Sequence, residues 1–290
     1  MRPNGLATKI FLDSGDPEET ERAVDLLGFL DGQTTNPSLI AKSPEAKARL
    51  DRGEKFTRTE VIELYKNIVR KISGMIPNGW ISVEVYADKK TTADEMMRQA
   101  REMYVWIPNA YVKLPTTTAG LEAAEILAKE GMRLNMTLCF SQEQAAAVYS
   151  ATQGAGPGQI FVSPFVGRLN DTGQNGIHVV EHIAKMYARG DGHVKLLAAS
   201  IRDAPQLLYF LHAEVDIITA PFRVLSDWGA SGMTIPKDVR DPSSPTLAPV
   251  PYRKIALDRP WREYTIKHEL TDIGIKKFSD DWNALIKKGK

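Results

Sequence analysis

The sequence lacks several features that mark secreted, metal-bound or nucleic-acid-binding proteins. It contains one cysteine, Cys139, which excludes an internal disulfide and a zinc site built from several thiolates. Its 37 Lys and Arg residues against 36 Asp and Glu residues leave a net charge of +1, so no bulk field attracts nucleic acid or an anionic membrane. No run of about 18 apolar residues is present to cross a bilayer. We therefore expect a soluble, cytoplasmic protein with neither nucleic acid nor membrane as a partner.

Short runs containing Val, Ile or Phe alternate with longer stretches of helical periodicity up to about residue 225 of the 290. The eight predicted strands are residues 9–14, 32–35, 80–87, 111–116, 133–140, 159–166, 194–200 and 215–220. Because each intervening helix supplies the crossover that parallel strands require, this order predicts an α/β protein with a closed (β/α)8 barrel. We predict that the barrel occupies residues 1–229 and is the catalytic domain.

Two segments depart from this alternation. Residues 44–57 are highly charged and interrupt the second helical connection, so we expect a solvated surface elaboration. Six prolines between Pro236 and Pro260 predict that residues 230–290 wrap the same domain as extended chain. This tail ends in a predicted helix, which should dock on a partner subunit or on the barrel base, giving a homo-oligomer. The apolar face of that helix is predicted to consist of Leu270, Ile273, Phe278, Trp282 and Leu285.

Polar side chains occur near the carboxyl ends of the predicted strands, where buried parallel strands are normally apolar. Active sites of (β/α)8 barrels lie at that end, so convergence there predicts a binding site for a polyhydroxylated ligand. The alternative, which applies best to a single buried charge, is a structural ion pair. The residues are Asp13, Asn36, Glu84, Lys113, Asn135, Thr137, Ser163 and Ser200.

Lys113 is the residue of this set with the most specific chemistry. Burial disfavours a charged ammonium, and a neutral lysine amine can attack a carbonyl to form a carbinolamine and then a Schiff base. That intermediate accepts electrons when a neighbouring carbon–carbon bond is cleaved. Asp13 and Glu84, on other strands, are the carboxylates that we expect to move the protons.

Arg168 and Arg202 follow the ends of two successive late strands. Arginine binds phosphate through its planar fork, and Ser200 with the start of the next helix would add donors. The alternative is that either arginine caps a surface loop. His178 and His182 lie four residues apart on a predicted outer helix, but no third ligand is evident, so we predict no metal site.

Seven blocks in order resemble the transaldolases and the related fructose-6-phosphate aldolases, most closely the short-chain branch. The resemblance covers residues 9–225, and KKFSDDW also resembles the terminal helix of that branch. The blocks are FLDSGD, TTNPSLIAKS, SVEVYAD, VKLPTTTAGLEAAEILAKEG, LNMTLCFSQEQA, FVSPFVGRLND and KLLAASIRDAPQ.

The resemblance implies a role for each candidate residue. Lys113 would be the Schiff-base lysine and Asp13 the acid/base, while Glu84 and Thr137 would hold a catalytic water. The dihydroxyacetone portion would be bound by Asn36, Asn135 and Ser163, and the phosphate by Arg168, Ser200 and Arg202. Neither a metal nor an organic cofactor is implied.

The implied reaction transfers dihydroxyacetone from sedoheptulose 7-phosphate to glyceraldehyde 3-phosphate, a step of the pentose phosphate pathway. Aldolases of the same fold that release free dihydroxyacetone carry Gln at the position of Glu84 and Tyr at that of Phe165, so both residues favour transfer. The alternatives are such an aldolase or a non-catalytic phosphosugar-binding protein.

Overall fold

The computed structural model describes residues 2–287 and forms a closed barrel of eight parallel strands. Neighbours in sequence are neighbours in the barrel, and β8 closes it by pairing with β1. The predicted (β/α)8 barrel is therefore confirmed. The strands are β1 Lys9–Asp13, β2 Gly32–Thr34, β3 Trp80–Glu84, β4 Ala110–Pro115, β5 Leu134–Cys139, β6 Ile160–Pro164, β7 Val194–Ala198 and β8 Ile217–Ala220.

Twelve α-helices pack around the barrel or over its mouth within the described residues. Most begin at a Ser, Thr, Asp or Asn whose side chain accepts a bond from a first-turn amide; Thr57 and Thr92 form complete capping boxes. None of these helices is both long and apolar enough to span a bilayer. They are α1 Pro17–Leu27, α2 Pro37–Ala41, α3 Pro44–Asp51, α4 Arg58–Met75, α5 Ala93–Tyr104, α6 Thr118–Lys129, α7 Gln142–Ala151, α8 Val166–Asp171, α9 Gly176–Tyr187, α10 Ala204–His212, α11 Phe222–Ala230 and α12 Glu269–Leu285.

Four aromatic side chains fill the amino-terminal half of the barrel. Tyr111 stacks on Phe161 with ring centroids 4.0 Å apart, and Trp80 lies 5.6 Å from Phe161. Phe11 meets Phe161 edge-on at 6.2 Å. Gly32 leaves room for this cluster, because a Cβ there would collide with the Phe11 ring. These rings form a packed floor under the rest of the barrel interior.

A polar layer lies directly above this aromatic floor. Side chains two residues apart on a strand point to the same face, so each aromatic residue predicts an inward side chain two positions later. In β1, β3, β4 and β6 those side chains are polar: Asp13, Ser82, Lys113 and Ser163. The strand pattern therefore places a polar chamber at the carboxyl ends of the strands, on an apolar base.

The tail follows the outside of the barrel, as predicted, and ends in α12. Ala248 pairs with the α8–α9 connection, donating to Gly173 and accepting from Asn175. His178 accepts from the Val250 amide, and His182 packs edge-on against Tyr252. The extended tail ending in a helix is therefore confirmed, whereas the domain boundary at residue 229 stays a prediction.

The predicted docking of the terminal helix on the barrel base is wrong, because α12 lies across the barrel mouth and contacts α2 and β5. Its buried side includes Ile275, Phe278, Trp282 and Leu285. Ile273, which we placed on the apolar face, is 50% exposed. The apolar spacing predicted a buried face, but the path of the tail determines which surface that face meets.

The charged insertion is more than a solvated elaboration. Most of α3 is exposed as expected, but Phe56 is buried and lies beneath the guanidinium of Arg49, 4.2 Å from ring centroid to carbon. Phe56 also forms a parallel bridge with Ile286. The insertion thus holds the end of α12 on the barrel, a role that its charge pattern did not predict.

Candidate active site

A pocket of about 300 Å³ opens at the carboxyl ends of the strands. Its volume is in the range typical of small-molecule sites. Among its lining residues, the only carboxylate is that of Asp13. The cations that line it are Lys42, Lys113, Arg168, Arg202 and Lys277. This excess of positive charge, in a chain with almost no net charge, favours an anionic ligand.

Lys113 lies at the buried end of this pocket. Its Nζ donates to the Thr35 carbonyl at 3.1 Å and lies 2.9 Å from Glu84 Oε2. Only 3% of Lys113 is exposed. The amine is therefore held in place by two groups and also lines the pocket.

Asp13 enters the pocket from β1. Its Oδ1 accepts a hydrogen bond from Thr34 Oγ1 at 2.7 Å, and Thr34 also meets Thr219 Oγ1 at 2.6 Å. Burial raises the pKa of Asp13, while the charge of Lys113 acts in the opposite direction. A carboxyl whose pKa is raised takes up the proton of a sugar hydroxyl more readily.

Glu84 lies behind Lys113 and does not line the main pocket. Tyr65, on α4, supports it, because the Glu84 amide donates to the Tyr65 hydroxyl at 2.8 Å. Burial raises the pKa of Glu84, with Lys113 again opposing the shift. Half-buried Asp13 and buried Glu84 thus place two carboxyls near one amine.

Of the residues predicted to bind the sugar, Asn36 and Ser163 line the pocket, whereas Asn135 lies outside its lining. Asn135 is fully buried, donating to Ser82 Oγ at 3.0 Å and accepting from Ser163 Oγ at 2.6 Å. The side-chain oxygen of Asn36 caps α2 through the Leu39 amide, which leaves its amide hydrogens for a ligand. Asn135 therefore orients Ser163 from below.

Thr137 lines the same pocket and is fully buried, but its Oγ1 has no hydrogen-bond partner within residues 2–287. Buried hydroxyls are normally hydrogen-bonded to protein or ordered water. An unpaired hydroxyl on the pocket wall is therefore suited to hold a water or a ligand oxygen.

The three predicted phosphate residues meet at the pocket rim. Arg168, Ser200 and Arg202 all line the cavity, and Arg202 forms a 2.5 Å ion pair with Asp171. Ser200 adopts φ +59°, a left-handed conformation that is unusual outside glycine and that recurs at functional sites. The start of α10 offers fewer donors than expected, because Asp203 already accepts from the Gln206 amide.

Several residues at the site were not predicted. Ser82 follows Trp80 by two residues, as Asp13 follows Phe11, whereas Thr34 follows Gly32, which pairs with Phe11. Phe278 and Lys277 line the pocket from α12, a distant element. No local pattern identifies them, since their place depends on how the tail folds back.

Within the described residues there is no group of three or more His, Cys, Asp or Glu side chains arranged to hold a metal ion. His178 and His182 lie side by side on α9 with ring centroids 5.9 Å apart, and both contact the tail. Their observed role is to pack the extended chain against the barrel.

Comparison with known proteins identifies the family. Residues 10–289 match the family model described as Transaldolase/Fructose-6-phosphate aldolase. A probable transaldolase of Dehalococcoides mccartyi is 34% identical over 279 residues, covering 96% of this chain and 100% of the relative. A probable transaldolase of Clostridium perfringens is 35% identical over 280 residues, covering 97% of this chain and 100% of the relative. The chain is therefore an enzyme that belongs to the transaldolase/fructose-6-phosphate aldolase family.

Proposed function

We propose that this enzyme is a transaldolase that moves dihydroxyacetone from sedoheptulose 7-phosphate to glyceraldehyde 3-phosphate through a Schiff base on Lys113. The observation that carries the proposal is a buried amine in contact with Glu84, in a pocket that Asp13, Arg168 and Arg202 also line. A cytoplasmic location and a place in the pentose phosphate pathway are part of this proposal. Oligomerisation through α12 stays a prediction.

The first half-reaction begins when Lys113 Nζ attacks the ketose carbonyl and the resulting carbinolamine loses water to form an iminium ion. Asp13 then removes the proton of the C4 hydroxyl. The C3–C4 bond breaks, its electron pair passes to the iminium nitrogen, and the aldose leaves. Asp13 is suited to this step because its burial favours uptake of the proton.

The second half-reaction reverses these steps with the acceptor aldehyde. The enamine carbon attacks the aldehyde, protonated Asp13 returns its proton to the new alkoxide, and water releases the product from Lys113. Glu84 and the unpaired Thr137 hydroxyl would hold that water. Arg168, Arg202 and Ser200 would bind the phosphate, while Asn36, Asn135 and Ser163 would orient the dihydroxyacetone portion.

Phe165 and Glu84 favour transfer over release of free dihydroxyacetone. Phe165 lines the pocket and offers no hydroxyl proton to the enamine carbon, so the intermediate persists until an aldehyde arrives. A tyrosine at the same position would supply that proton. This difference supports a transaldolase over the fructose-6-phosphate aldolase alternative.

Two measurements test the proposal. Fructose 6-phosphate should form from sedoheptulose 7-phosphate only when glyceraldehyde 3-phosphate is present, and borohydride should trap the donor on the peptide that contains Lys113. Equal release of dihydroxyacetone without acceptor would identify an aldolase instead. Binding of the ketose without any turnover would identify a non-catalytic phosphosugar-binding protein.

A further inference from the structure

Arg168 has an unusual environment for a pocket arginine. It makes no hydrogen bond or ion pair with any other residue in the described range 2–287, whereas the neighbouring Arg202 is paired with Asp171. Its guanidinium hydrogens are therefore free for a ligand. A long side chain with no polar partner samples many rotamers, so something else must hold this group in the pocket.

Two aromatic rings provide that contact. The central guanidinium carbon of Arg168 lies 5.5 Å from the ring centroid of Phe165 and 5.5 Å from that of Phe278. Both distances are within the range of a cation–π interaction. Arginine guanidinium groups stack on aromatic faces, and a stacked guanidinium keeps the hydrogens at its edge available for the oxygens of a phosphate.

Phe278 reaches this position because α12 is seated on the barrel mouth by specific contacts. In β5, Leu138 adopts φ +56° at a register shift, and its carbonyl accepts from Thr271 Oγ1 at 2.9 Å. Gly274 passes so close to Leu138 that a Cβ added to Gly274 would lie 2.5 Å from the Leu138 side chain. At the other end, Ser38 on α2 donates to Asp281. The ring of Phe278 is thus held between two fixed points.

We propose that Phe278 is a positioning residue for the phosphate site, because its ring holds the Arg168 guanidinium in the orientation that binds the substrate phosphate. This inference rests on the proposed function, and it adds that helix α12 must be docked for full affinity. Phe278 lines the same pocket as Arg168. It acts through the arginine rather than on the reacting carbon atoms.

A matched pair of substitutions distinguishes an effect of the aromatic ring of Phe278 from an effect of its side-chain volume. Phe278→Leu keeps an apolar side chain but removes the ring, and it should weaken binding of inorganic phosphate about threefold to tenfold. Phe278→Tyr keeps the ring and should stay within about twofold of the wild type. Calorimetric titration with inorganic phosphate gives the Kd, and thermal unfolding shows whether each variant is folded. Phe278→Met replaces the leucine variant if that variant does not fold.

A double-mutant cycle with Arg168→Ala tests whether the two residues act together. Once Arg168 is absent, Phe278→Leu should change the phosphate Kd by less than about twofold. An equal loss in both backgrounds, or an equal loss for the tyrosine and leucine variants, overturns the inference.

Steady-state kinetics distinguishes this inference from the proposed function. Phe278→Leu should raise KM for sedoheptulose 7-phosphate with kcat little changed, since the phosphate does not react. A loss confined to kcat contradicts the positioning role. Absence of transfer by the wild type rejects the proposed function, while the phosphate titrations still decide the role of Phe278.

Discussion

Asp13→Asn tests the acid/base step directly, because it removes proton transfer and preserves shape. The asparagine carbonyl oxygen can still accept from Thr34 Oγ1, the bond that orients Asp13 at 2.7 Å. Loss of a positioned acid/base group lowers turnover by about 10²–10⁴-fold, which corresponds to about 2.7–5.4 kcal/mol in the activation barrier. We expect the loss to appear in kcat for dihydroxyacetone transfer, measured as initial rates at saturating substrate.

Trapping of the adduct shows at which step of the reaction the Asp13→Asn variant is blocked. Lys113 is unchanged, so borohydride should still reduce a ketose onto it, as peptide mass mapping would show. Thr34→Val is the matched control: it removes the bond that orients Asp13, together with the contact to Thr219, and should cost about tenfold or less. A rate for Asp13→Asn close to that of the wild type would refute the assigned role. Loss of trapping together with turnover would place Asp13 before bond cleavage.

Three further predictions concern pH, phosphate affinity and thiol reactivity. Burial raises the pKa of Asp13. The contribution of this carboxyl to folding stability is therefore complete below its usual pKa of 3.8 and is lost as the pH rises through its pKa in the folded state. The Tm of Asp13→Asn, which lacks this carboxyl, should consequently fall less than that of the wild type as pH rises from about 4. Arg168→Ala should raise KM for phosphorylated sugars more than Arg202→Ala, because Arg202 is exposed and already paired with Asp171; the reverse order would contradict the assignment. Burial raises the pKa of the Cys139 thiol to about 12, so mass spectrometry should find iodoacetamide labelling only after unfolding.

The sequence predicts the barrel and much of the candidate site because both depend on local periodicity. Alternation of β-type runs and helices determines the number of strands, and the two-residue repeat within each strand directs Asp13 and Lys113 inward. Parallel strands then bring their carboxyl ends to one face without further information. Residues that follow from strand position alone could therefore be identified before the structure.

The parts that could not be predicted depend on contacts between distant segments. Phe278 lies on the predicted apolar face of the terminal helix, but the sequence does not predict which surface that face meets, and Phe56 lies in the charged insertion. The contacts of both residues follow from the route of the proline-rich tail. The sequence of that tail has no periodic pattern that would predict its direction across the barrel. Ile273 was predicted to be buried on α12, but half of it is exposed. Apolar spacing alone does not distinguish a helix position that contacts the barrel from a neighbouring position that remains exposed.

The packed rings of Phe11, Trp80, Tyr111 and Phe161 close the barrel interior at its amino-terminal end. The pocket above these rings opens at the carboxyl ends of the strands, beside α12. In the proposed exchange, the outgoing aldose must leave through this opening before the incoming aldose can enter. An excess of either aldehyde should therefore obstruct the other, so that each slows the enzyme at high concentration.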